Sequence, residues 1–199
     1  HAVRSAGKMS EQRVPFSVRE EAMSGLRDWW AGRLDTWFAN QITGYTVQSD
    51  TRFTGNQAAL APTAVSNQIF VNTNELTDAS ISTTSTFVLS VLDKAVEHAR
   101  VNTPAIRPLK IGGKPMYACF MHPYQVTDLR INTNTGQWLD IQKAVLTGGE
   151  INDNPIFDGS LGVYNGVIMH SDARVPLGGA TTVVAANTRR AIFCGAQAC

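Results

Sequence analysis

The sequence predicts an α+β fold: one long, isolated helix followed by a lobe of mixed helices and strands. Three observations carry this reading. Ser17-Val18-Arg19-Glu20 matches a capping box and opens a helical apolar period that runs to Gly44. A second helical period, near 84–101, leads into two apolar runs joined by Gly112-Gly113. Asn165-Gly166 then separates two short apolar runs and is the strongest hairpin signal in the chain.

In the first helix Ala22, Leu26, Trp30, Leu34, Trp37 or Phe38, and Ile42 recur every three or four residues. Roughly 25 residues at 1.5 Å rise make a rod about 37 Å long. Trp29, Trp30 and Trp37 place three of the four tryptophans on it. Gly25 and Gly32 each cost about 1 kcal/mol relative to Ala in a helix interior. They lie seven apart, nearly on one face, so a close approach to the backbone is expected there.

Residues 45–80 are rich in Thr, Asn, Gln and Ala and show no sustained period. A loop of this length is usually functional or held by a partner. The second helix, 84–101, has Phe87, Val88, Val91, Leu92, Ala95, Val96 and Ala99 on its apolar face and ends at Asn102-Thr103-Pro104. Strands at 107–111 and 114–121 flank the Gly-Gly turn, and the unbroken apolar run from Met116 to Met121 marks a central strand. His122-Pro123 opens a short helix through Leu129, with Pro in its first turn. A third helix is expected over 137–146, stopping at Gly148-Gly149. A second hairpin is expected at Gly178-Gly179, and 181–186 and 190–194 read as final strands.

The chain has 199 residues, which suits one domain or one domain and a lobe. Charged residues make up 17%, below the usual quarter, and polar uncharged residues suited to loops and contacts fill the difference. The net charge of +1 and the lack of Lys/Arg runs give no basic footprint for nucleic acid or anionic lipid. No apolar run approaches a membrane span, and no secretory signal pattern is present. The three cysteines are odd in number and form no C-x-x-C pair, which argues against a disulfide framework and for a reducing compartment. Cys119 and Cys194 read as small buried hydrophobes.

Catalytic motifs fail one by one. Gly113-Lys114 is no phosphate loop, because Pro115 follows the Lys and Pro108 stands where the first Gly belongs. Gly159-Ser160-Leu161-Gly162 has the wrong spacing for a nucleophile elbow. His98, His122 and His170 lack metal-ligand spacing. Asn152-Asp153-Asn154 is no calcium loop, since Phe157 and Val163 replace the required Gly and Glu. Asp28 and Asp35, near Arg27 and Arg33, read as a solvated or interface charge network. His122 reads as a histidine that hydrogen-bonds a turn. The expectation is no catalytic residue, no metal and no cofactor, hence no enzyme. Two alternatives stay open: a hydrolase using Cys119 or His122, and a module whose aromatic helix docks into a partner protein.

Five blocks carry a resemblance: RVPFSVREEAMSGLRDWWAGRLDTWFANQITGYT, LKIGGKPMYACFMHPYQVTDLR, TGQWLDIQKA, NPIFDGSLGVYNGVIMHSDARVP and RRAIFCGAQA. Their order and spacing, from about Arg13 to Ala198, resemble the major capsid proteins of tailed bacteriophages, specifically the N-four-like podophage family. The resemblance implies the Hong Kong 97 capsid fold. Residues 1–15 would then be the end of an extended loop or strand, 16–44 the spine helix of the peripheral domain, and 45–199 mainly the axial domain with a return to peripheral strands. It implies a structural protein that self-assembles, as hexamers and pentamers, into an icosahedral shell around double-stranded DNA held without sequence specificity. Decoration and portal proteins would be further partners, and no membrane is involved. The location implied is the virion, assembled in the host bacterial cytoplasm. Family members carry an arm and hairpin loop before the spine helix and continue past the position of Cys199, so the chain is expected to be a piece of a longer polypeptide.

Within that frame, Leu26, Trp30, Leu34 and Trp37 are expected to pack on the chain's own domain. Trp29 and Trp30 project about 100° apart and cannot share one narrow stripe. Trp29 and Phe38 are therefore the candidate subunit-interface residues, because aromatic rings bury much area on a rigid frame. The competing expectation places both Trp29 and Trp30 in one wide buried face.

Overall fold

The computed structural model describes residues 7, 15, 17–48, 50–61, 68–72, 74, 75, 77, 80–138, 161–178 and 188–196. Helix α1 is Val18–Thr43, 26 residues long. Ser17 caps it, with the Glu20 amide donating to the Ser17 hydroxyl at 3.4 Å. Gly44 ends it with a left-handed φ of 61°, a conformation that disfavours any Cβ, and its amide turns back to the Asn40 and Gln41 carbonyls. Both ends fall where the sequence puts them.

Within the stretch expected to be irregular, Thr51–Thr54 forms a helical turn, α2, capped by the Asp50 side chain. Further along it, Glu75 is buried. It accepts hydrogen bonds from the Asn72 side chain at 3.0 Å and the Asn72 amide at 3.3 Å, and from the Ser85 hydroxyl. Burial pushes the Glu75 carboxyl up, but the bonds from Ser85 and Asn72 outweigh it and hold it below its ordinary value.

Helix α3 is Leu89–Val101 and starts five residues later than its sequence pattern suggests. The physical reason lies in residues 82–85. The Ser82, Thr84 and Ser85 hydroxyls bond to one another, and Ser85 is engaged with Glu75, so this segment turns instead of entering the helix. Gln137, rather than a local cap, accepts from the Leu89 amide at 3.3 Å.

Strands β1 (Leu109–Ile111) and β2 (Lys114–Met121) pair antiparallel around Gly112 and Gly113, whose φ values of 57° and 78° are those a tight two-residue hairpin needs. Helix α4 is Pro123–Ile131. Strands β3 (Val163–Tyr164) and β4 (Val167–Ser171) turn at Asn165 and Gly166, again with positive φ at both. Strand β5 is Ile192–Cys194. The sheet runs β1-β2-β4-β3, and β5 also pairs with β2. The pair β2/β4 is parallel, with Cys119 opposite Met169, so a crossover containing α4 joins them. As its apolar run suggests, β2 is central.

Tyr117, Cys119 and Met121 alternate inward from β2 and meet Leu89, Leu92, Val96 and Ala99 of α3 and Val126 and Leu129 of α4. The β3–β4 hairpin is tied to α3 through Asp93, which accepts from the Tyr164 hydroxyl at 3.0 Å and the Asn165 side chain at 2.9 Å. Burial and then the Asp93 carboxylate raise the Tyr164 pKa. The expected helix at 137–146, the strand at 181–186, and the Gly159-Ser160 and Asn152-Asp153-Asn154 motifs lie wholly or mostly outside the described residues. Either side of 179–187, Leu177 bridges Arg189 in antiparallel fashion.

Candidate interaction surface

The inner side of α1 is made of small and polar groups. Ala39, Asn40 and Thr43 are its buried residues. Three side chains of its last turns donate to the carbonyls of the α2 region. Trp37 Nε1 reaches Arg52 at 2.7 Å, Asn40 reaches Phe53 at 2.8 Å, and Gln41 reaches Thr54 at 2.8 Å and Gln57 at 2.7 Å. Two arginines from the far end of the chain also reach this helix. Arg190 Nη1 donates to the Thr43 carbonyl at 2.6 Å and the Gly44 carbonyl at 3.2 Å. Arg174 Nη1 donates to Asp35 Oδ2 at 2.9 Å.

The outer side is apolar and open. Met23 (54%), Trp30 (47%), Leu34 (51%) and Phe38 (48%) are all about half exposed. At 100° per residue these four positions fall within an arc of about 80°. The expectation that Trp30 and Leu34 pack on the chain's own domain is therefore corrected. The three-to-four period marks a stripe but not its direction. By the same count the buried Ala39, Asn40 and Thr43 point away from the stripe, whereas Trp37 and Gln41, which donate to the α2 region, lie on its own side.

Beside this stripe the tryptophans gather around one arginine. The Arg33 guanidinium lies 5.0 Å from the Trp29 ring, 6.0 Å from Trp30 and 4.9 Å from Trp37. The rings meet edge to face, Trp29 on Trp30 at 5.4 Å and Trp30 on Trp37 at 5.9 Å. Helical spacing builds the cluster, since Arg33 is four after Trp29, three after Trp30 and four before Trp37. Of the two candidate interface residues, Trp29 is half-buried in this cluster and Phe38 is exposed. Of the two helix glycines, a Cβ on Gly25 would meet nothing within 4 Å, and one on Gly32 would meet only Arg174 Nη2, at 3.8 Å. Neither glycine is required by a close backbone approach from the described residues.

The catalytic alternatives fare poorly in the geometry. Cys119 is buried in the core, and burial, then the neighbouring Cys194, pushes its thiol up to about 12. His122 caps α4: the Tyr124 amide donates to its Nδ1 at 3.2 Å, and Gln125 Oε1 accepts from the His122 amide at 3.0 Å. Burial and the Arg189 charge lower its pKa. His98, His122 and His170 sit on α3, before α4 and on β4, and among the described residues no group of His, Cys, Asp or Glu could hold a metal ion. A cavity of about 600 Å³ touches Ile42, Glu75, Phe87, Cys119 and Arg190. Its Glu75 carboxylate already accepts from Asn72 and Ser85, and its Cys119 thiol is protonated. No described helix is long and apolar enough to cross a membrane.

Sequence reasoning assigned Arg33 to a charge network with Asp28 and Asp35 instead of to the tryptophans, and it missed Arg174 and Arg190. The spacing of Arg33 among the tryptophans is a usable signal. Arg174 and Arg190 carry none, because their partners lie 139 and 147 residues away.

A family model described as phage capsid protein matches residues 1–199. Among solved structures, the capsid of Ralstonia phage GP4 is similar with a TM-score of 0.70 and 25% identity, over 98% of this chain and 56% of that one. A chain of the cyanophage Pam1 capsid asymmetric unit is similar with a TM-score of 0.53 and 14% identity, over 82% of this chain and 48% of that one. The chain thus spans about half the length of the capsid chains it matches. No curated protein matches it in sequence.

Proposed function

Because the chain belongs to the phage capsid protein family, we propose that it is part of a major capsid protein whose copies self-assemble into an icosahedral shell enclosing double-stranded DNA. Family membership supports a structural role in the virion. The observation that carries the assembly reading is the similarity over 98% of the chain, at a TM-score of 0.70, to a phage capsid. The same similarity supports the Hong Kong 97 architecture, with residues 16–44 as the spine helix, 45–199 mainly the axial domain, and 1–15 the end of an extended loop. The resemblance to N-four-like podophages is the more specific proposal within the family.

Subunits would contact one another through the open side of α1. The half-exposed stripe of Met23, Trp30, Leu34 and Phe38 supports this. Trp29 joins it as the ring that backs Trp30. DNA would be enclosed without sequence-specific contacts, in keeping with a net charge of +1. Portal and decoration proteins would bind the finished shell, and assembly would take place in the host bacterial cytoplasm.

The test is velocity sedimentation and negative-stain microscopy of the full-length protein. Closed shells of six- and five-membered rings are expected. Discrete monomers at the same concentration would refute the proposal.

A further inference from the structure

Arg33 has an unusual environment for a surface cation. Its faces are covered by three indole rings, at 4.9 to 6.0 Å. Its Nε is buried and has no hydrogen-bond partner. Among the described residues no carboxylate or carbonyl takes a hydrogen bond from the guanidinium. Asp50, which Arg33 draws slightly, is held first by hydrogen bonds from Arg52. The cation has therefore lost hydration to the rings without gaining an anion, while its planar fork of donors is suited to a carboxylate.

We propose that Arg33, framed by Trp29, Trp30 and Trp37, receives a carboxylate side chain from a second copy of the chain, with Trp30, Leu34 and Phe38 buried around that contact. This rests on the self-assembly reading above. Charge complementarity selects the ligand, because a guanidinium on aromatic faces is matched by a desolvated carboxylate in bidentate contact. Tryptophan and arginine, here flanking an exposed apolar stripe, are also the residue types that dominate protein–protein contacts. A nucleic-acid phosphate fits less well. Between residues 22 and 43 the only charges are Arg27, Asp28, Arg33 and Asp35, two of each sign, whereas a phosphate backbone is tracked by clustered cations.

The experiment uses the full-length protein carrying Arg33→Lys, which keeps the charge and adds a primary amine. Shells are assembled from equal parts of 15N-labelled and unlabelled copies and treated with a water-soluble carbodiimide. An amide then forms between Lys Nζ and a carboxylate in contact with it, and the carbodiimide takes up the water as a urea. The expected product is a peptide pair of mixed isotope, joining position 33 of one copy to an Asp or Glu of another. In parallel, Arg33→Gln should raise the concentration needed for assembly about tenfold, from the loss of one charge-assisted contact, with the far-ultraviolet spectrum of the unassembled protein unchanged. Shells whose position 33 cross-links only within its own chain, or not at all, would overturn this proposal and leave the assembly reading intact. Arg33→Gln shells that form at the wild-type concentration but lose DNA would overturn it in favour of a phosphate ligand. Failure of the wild-type protein to assemble would overturn both.

Discussion

Arg190 Nη1 donates to the Thr43 carbonyl at 2.6 Å, closing the end of the long helix with a residue 147 positions later in the chain. The same group reaches the Gly44 carbonyl at 3.2 Å. A cation there satisfies carbonyls that the helix leaves open and complements the negative end of its dipole. Arg190→Met removes the donors and keeps part of the stem. It should destabilise the fold by about 2 kcal/mol, the scale of a charged hydrogen bond. Urea unfolding checks this, and Arg190→Lys should recover part of the loss.

Just beyond β5, Gly195 passes against the strand edge before β1. A Cβ there would overlap the Arg107 carbonyl oxygen and come within 2.6 Å of Ile106 Cγ2. The Ala196 amide donates to that same carbonyl at 2.6 Å, so the backbone has no room to withdraw. Gly195→Ala should cost about 1–3 kcal/mol, the range of an overpacked site, read as a lowered thermal midpoint.

The elements with local signatures were legible in the sequence. Ser17 and Gly44 bound the long helix because caps are local chemistry, and Gly112-Gly113 and Asn165-Gly166 set their hairpins because positive φ is a local demand. The start of α3 was not legible, because Glu75 draws Ser85 into a polar turn that propensity does not register. The direction of the Trp30–Leu34 stripe was also hidden. It depends on Arg174 and Arg190, which are remote in sequence and meet α1 only in the fold. The clustering of Trp29, Trp30 and Trp37 around Arg33 lay open to a helical-wheel count.

Glu75 makes the fold sensitive to acid. Its folded-state pKa lies below the ordinary value of 4.5, so the unfolded chain takes up a proton first as pH falls. Its contribution to stability is present above the unfolded value and is lost as pH drops through the folded one. Urea midpoints measured from pH 6 down to pH 3 should fall in that window. In Glu75→Gln this component of the slope should vanish, and stability at pH 7 should already be lower.

Cys119 should behave as an inert thiol. With its pKa at about 12, only about one molecule in ten thousand is a thiolate at pH 8. Labelling with a disulfide reagent should leave Cys119 unmodified in the folded protein and modify it on unfolding. Rapid labelling of Cys119 under native conditions would revive the hydrolase alternative.

The most direct test of a structural subunit joined through its long helix is a density map of the assembled full-length protein at side-chain resolution. The map should show Met23, Trp30, Leu34 and Phe38 covered by a neighbouring copy. A closed shell in which this stripe faces solvent, or particles with no repeating contact to α1, would contradict it.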